Sequence, residues 1–104
     1  PLPANITYYS PTPLEVDYAI SITPNISDTQ DAITANLEAL FAADAQPNGT
    51  LLISRMNLAV ASGAVDDYEI TGIDLDGVPT TVGNITTTKA QVHKLGTITF
   101  STMV

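Results

Sequence analysis

Histidine occurs once in this chain, at position 93, so any Ser-His-Asp arrangement would have to run through His93. Its neighbours are Val92 and Lys94, and no nucleophile motif accompanies it. The residue therefore reads as a partly exposed surface histidine, not a general base. Lysine chemistry has only Lys89 and Lys94 to draw on, both close to the same stretch. Carboxylates pair in sequence at Asp66-Asp67 with Glu69, and at Asp74 with Asp76. General acid–base work needs two carboxyls facing one cleft with their titrations pushed apart. Neighbours on a strand point to opposite faces, so Asp66 and Asp67 read as a solvated strand edge. Asp74-Leu75-Asp76-Gly77 has the look of the front of a calcium-binding loop. Aligning Gly77 with that loop's glycine, however, puts Gly72 at the first ligand position and Gly83 where a bidentate Glu belongs. Two ligand positions are empty, and a turn using Asp and Gly for their backbone tolerance is the better reading. No catalytic, cofactor-binding or metal-ligating residue is assigned, and no cofactor is expected.

Four of the six asparagines lie in N-x-Ser/Thr sequons: Asn5, Asn25, Asn48 and Asn84. In a secreted eukaryotic protein these would mark a glycosylated surface. Asn, Ser and Thr also gather at turns and helix caps, and three of these four places read as turns or loops, so the turn explanation is preferred.

Composition narrows the function further. The chain has 104 residues, enough for one modest core, and 44% of them are hydrophobic, so a folded domain is expected. Three basic residues stand against eleven acidic ones, for a formal net charge of −8. That balance argues against nucleic acid and anionic membrane surfaces as partners, since both are held by clustered Lys and Arg. Only 13% of residues are charged, about half the ~25% usual in soluble domains. The polar surface is instead supplied by 15 Thr, 6 Ser, 6 Asn and 3 Gln. Without cysteine, disulfides and thiolate chemistry are excluded. No apolar run is long enough to span a bilayer. The start, Pro1-Leu2-Pro3, suggests a piece of a longer polypeptide.

The elements that would position these residues follow from periodicity. Residues 1–13, with Pro1, Pro3, Pro11 and Pro13, read as an extended lead-in or linker, with a short strand at Ile6–Tyr9. Residues 14–104 read as a single domain. Leu14, Val16, Tyr18, Ile20 and Ile22 alternate with polar or small residues, which predicts a strand with one buried face. Ser27-Asp28-Thr29-Gln30 fits a capping box with Ser27 at the N-cap. Ile33, Leu37, Leu40 and Phe41 then form one helical stripe, ended near residue 45 by Pro47-Asn48-Gly49. Leu51-Leu52-Ile53 suggests a central strand, and Ser54 a cap for a short helix over 55–62 with Met56, Ala59 and Val60 inward and Gly63 at its end. A strand is predicted over about 65–72 and a long loop over 74–94, holding at most a weak hairpin near Val82–Thr86. Leu95-Gly96-Thr97-Ile98-Thr99-Phe100 supplies a closing strand with Ile98 and Phe100 inward. The order β-α-β-α-β-β predicts an α+β two-layer domain, a long and a short helix on a small mixed sheet.

The succession PTPLEVDYAISITP, a helix ending ALFAADAQPNGT, then LLISRMNLAVASGAVDDYEIT and LGTITF resembles the C-terminal part of baseplate J-like proteins. These are baseplate wedge components of contractile-tailed phages, Mu-like ones among them, and of related tail-derived particles. The matching positions are Pro13 through Pro24, Pro47 to Gly49, Ser54, Val65 and Leu95 to Ile98; the 74–94 segment matches nothing in the pattern. The resemblance implies a non-enzymatic structural protein, located in the virion tail baseplate and in the host cytoplasm during assembly. It implies other baseplate wedge and tail subunits and copies of this chain as partners, with no small-molecule substrate. The acidic, Thr-rich composition and the sequons leave one rival, a secreted or cell-surface binding module, calcium-dependent or glycosylated, with a small acidic hydrolase working through His93 a distant third.

Overall fold

The computed structural model describes residues 12–63 and 65–103. The strand suggested at Ile6–Tyr9 lies outside them. The first strand, β1 (Thr12–Thr23), carries the predicted alternation: Leu14, Val16, Tyr18, Ile20 and Ile22 are buried and the residues between them are half-exposed. It already includes Thr12 and Pro13, which the sequence reading gave to the linker.

Helix α1 (Ser27–Asp44) buries Thr29, Ile33, Leu37, Leu40 and Phe41 along one stripe. Its cap differs from expectation. Ile26, not Ser27, is the N-cap residue, and no side-chain cap bond forms. Gln30 does reach back, but its Nε2 donates to the side-chain oxygen of Asn25 at 2.7 Å, which ties the helix to the preceding turn. The expected central strand at residues 51–53 is also corrected. Only Thr50–Leu51 is extended (β2), and it lies outside the main sheet. Ile53 instead opens helix α2 (Ile53–Ala61), which buries Met56 and Val60. Ser54 does not cap this helix. The free N–H of Ile53 is taken at 2.8 Å by the side-chain oxygen of Asn84, 31 residues further along the chain.

Most of the predicted 74–94 loop is strand. β3 (Asp67–Leu75) turns through Asp76 and Gly77, with φ of 50° and 82°, into β4 (Val78–Thr80). Two central residues with positive φ make the mirror-image turn whose twist matches a hairpin. β5 (Ile85–Thr86) pairs with β2, and β6 (Gln91–Thr102) starts four residues before the expected strand. The predicted order is thus kept, with two short strands added before the last one.

The main sheet has the order β4-β3-β1-β6, β1 running antiparallel to β3 and parallel to β6. Two bulges keep apolar side chains on one face. Ala19 faces Gly72 and Ile20 faces Ile70, which leaves Thr71 as the extra residue and lets both Ile70 and Ile73 point inward. On the other flank Val16 faces Leu95 and Tyr18 faces Ile98, so Gly96 and Thr97 together oppose Asp17. Asp17 accepts the Thr97 N–H at 2.7 Å, satisfying the disturbed ladder. The helices cover one face of this sheet in a single core, where Phe41 meets the ring of Tyr18 edge-on. This is the α+β two-layer arrangement that the pattern predicted.

Candidate functional site

His93 is not at the surface. Because β6 begins at Gln91, position 93 falls on the inward face opposite Leu14, and the residue is only 5% exposed. Its Nε2 donates to the Ile85 carbonyl at 2.7 Å, its ring meets Phe41 edge-on, and its Nδ1 has no partner among the described residues. Among the described residues, no hydroxyl or carboxylate is bonded to either nitrogen. The imidazole ties β5 to the main sheet, and no described residue forms with it the relay that a hydrolytic triad needs. Tyr18 is the other buried polar group in this layer. Its hydroxyl donates to the Met56 sulfur at 2.8 Å, and burial pushes its titration well above the ordinary tyrosine value.

The carboxylates are dispersed. Asp66 precedes β3 and donates its N–H to the Thr23 carbonyl, while Asp67 and Glu69 lie exposed along β3. Asp76 sits in the hairpin turn and bonds Glu15 twice: its N–H to the Glu15 carbonyl, and its carboxylate to the Glu15 N–H, both at 2.9 Å. The calcium-loop pattern therefore corresponds to a hairpin turn fastened to β1. Asp17 and Asp74 face one another across β1 and β3. With Ala19, Gly72, Thr97 and Thr99 they line a shallow dent of about 290 Å³ on the helix-free face of the sheet. One oxygen of Asp17 is already bonded to Thr97. Among the described residues, no three His, Cys, Asp or Glu side chains are grouped to hold a metal ion.

The sequon asparagines have structural employment. Asn25 donates to Thr102 and accepts from Gln30, Asn48 takes a left-handed turn conformation with φ of 55°, and Asn84 caps α2. Asn5 lies outside the described residues. Sequence reasoning missed a further polar residue, Thr87, which is buried. Its hydroxyl accepts the Gly49 N–H at 3.1 Å and lies 3.0 Å from the Gln46 carbonyl, its nearest acceptor. Thr87 thereby clasps the turn after α1 to the segment between β5 and β6. A buried threonine among Thr86, Thr87 and Thr88 leaves no periodic signal, so only the tertiary contact reveals it.

What remains is surface. The uncovered face of the sheet is small and hydroxyl-rich, with Ala19, Ser21, Gly72, Thr97, Thr99 and Ser101, and Ser21 and Ser101 share a hydrogen bond of 2.8 Å. Between the helices runs a shallow groove beside Leu58, which is 65% exposed, and the Arg55–Asp44 ion pair stands near it. No helix among the described residues is long and apolar enough to cross a membrane. Among the described residues, these polar side chains close turns and satisfy backbone groups. The class these features define is a small two-layer α+β domain.

The particular family follows from comparison. The model of the baseplate J-like protein C-terminal domain matches residues 16–101, and the chain belongs to that family. The match runs from β1 through β6 and takes in both layers. The chain is also 31% identical over 98 residues to protein JayE of Escherichia coli (strain K12), covering 94% of this chain. It spans 35% of that relative's length. The family is a structural one of phage baseplates, which implies a location in the phage tail.

Proposed function

We propose that this domain is an assembly element of a baseplate wedge in a contractile phage tail. In this reading it packs against neighbouring wedge subunits and copies of itself to build the ring around the tail hub. It acts in the virion after assembling in the host cytoplasm, and performs no catalysis. The observation that carries the reading is the family match across residues 16–101, which includes every element of the core. The low charge content supports it, because interface cores are depleted of charged residues. So does the employment of the candidate chemical residues in holding turns together. The test is to place a compact tag in the β3–β4 turn of the parent protein and image assembled tails by cryo-electron microscopy. The expected result is tag density in the baseplate ring, outside the central hub. Tails that contain no tagged protein, or carry it only along the tube or sheath, would refute the proposal.

A further inference from the structure

The two edges of the main sheet are unlike. On one side β4 is three residues long and contains Pro79, and the stretch of β3 beyond it carries Asp67 and Glu69. Short strands, proline and charge are the usual means of keeping an edge from pairing. On the other side β6 runs for 12 residues, and no strand among the described residues pairs with its outer edge. At ~3.3 Å per residue that is about 40 Å of open backbone. Its one charge is Lys94, near the start, and it contains no proline. Its core-facing row is also incompletely covered: Leu95, Ile98 and Phe100 pack on the core yet stay half-exposed, and Leu95 and Ile98 border an open groove beside α1.

We propose that β6 pairs edge to edge and antiparallel with β6 of a second copy of this chain, joining two four-stranded sheets across a two-fold axis at Thr99. This deepens the assembly reading and rests on it for its biological use. The apolar row sets the register. With Thr99 facing Thr99 of the other copy, Ile98 of each copy faces Phe100 of the other on the core side. A shift by one residue would oppose apolar and hydroxyl positions. Moving the axis to Ile98 would set Phe100 against Gly96, and moving it to Phe100 would set Ile98 against Thr102. On the outer face Thr97 meets Ser101 of the other copy, and hydroxyl pairs of this kind favour strand pairing. The register makes the edge complementary to a second copy, and charge permits the pairing along the strand itself, with Glu38 of α1 the one carboxylate bordering the adjoining groove. A chain of net charge −8 repels itself over most of its surface, but β6 is uncharged from Leu95 to Thr102. The paired β6 strands also hold the two acidic β1 strands, with Glu15 and Asp17, three strand spacings apart. That is about 14 Å, beyond the ~8 Å over which charge acts at physiological salt.

An edge contact is narrow and belongs to the class that dissociates readily, so covalent trapping is the suitable measurement. The chain has no cysteine, and Thr99→Cys gives it a single thiol. Facing residues of an antiparallel pair stand at a separation a disulfide accepts. In oxidised glutathione, T99C should form at least tenfold more disulfide-linked dimer than Thr80→Cys on the guarded edge. T99K should abolish concentration-dependent dimer in sedimentation velocity without altering the circular-dichroism melt. Equal cross-linking of the two cysteine variants, or a wild-type chain that stays monomeric at millimolar concentration, overturns the pairing. If the pairing fails while the tagged protein still occupies the baseplate ring, the self-association is wrong and the assembly reading stands. A T99C dimer from a chain that never enters tails upholds the pairing and refutes the assembly reading.

Discussion

Thr87 offers a sharp test of how the segment between β5 and β6 is held. Thr87→Val is nearly isosteric, so it keeps the packing volume and removes only the hydroxyl. The buried Gly49 N–H loses its side-chain acceptor, and the Gln46 carbonyl loses its donor. Gln46 is exposed and its carbonyl can be hydrated, whereas the Gly49 N–H is buried with its residue. An unsatisfied buried donor costs about 1–3 kcal/mol, and a lost hydrogen bond about 1 kcal/mol. The expected loss is therefore about 2–4 kcal/mol, equivalent to roughly 10–30 °C in Tm for a domain of this size. Thr87→Ser keeps both hydrogen bonds and removes one methyl, at a cost of about 0.8 kcal/mol. Urea denaturation followed by circular dichroism measures both. Because the main-chain bond from Thr87 N–H to the Gly49 carbonyl survives in either variant, the difference isolates the hydroxyl. If valine were tolerated as well as serine, or better, the clasp would be a packing contact and the reasoning would fail.

Two further outcomes follow from buried and turn positions. Burial raises the Tyr18 titration in the folded state, so its stabilising contribution is fully present below the ordinary tyrosine value of about 10 and is lost as pH rises beyond it. Melts from pH 8 upward should show stability falling above that point, with a shallower fall in Tyr18→Phe; an unchanged slope would show that Tyr18 is not the group responsible. Gly77→Ala should cost about 1 kcal/mol from its left-handed backbone alone, since an added Cβ there meets nothing. Gly63→Ala should cost about 1–3 kcal/mol by overpacking, since its Cβ would run into Ile33. Equilibrium unfolding that ranked Gly77→Ala as the more damaging would contradict this division between strain and packing.

Periodicity is legible wherever a single element buries one face without interruption. β1 alternates over its whole inward row, α1 carries an unbroken stripe, and both stand where the pattern puts them. The same pattern failed where the sheet inserts an extra residue. At Thr71 and at Gly96–Thr97 the inward phase changes, so β3 looked finished too early and β6 looked too short. His93 was misplaced for that reason: its inward position depends on where β6 begins, which its partner β1 decides. The Asp76-Gly77 pair was recognised as a turn, but its hairpin became visible only once Val78–Thr80 had β3 to pair with.

By itself, the sequence determined the layer architecture, the core rows of β1 and α1, the acidic and sparsely charged surface, and the order of residues that marks the baseplate J-like family. Those properties depend on local spacing and residue type. Tertiary structure alone decided that Asn84 caps α2, that Thr87 clasps two distant turns, and that β6 is the edge strand of the main sheet among the described residues. Each depends on a partner tens of residues away, and the chain's local preferences do not encode which partner that is.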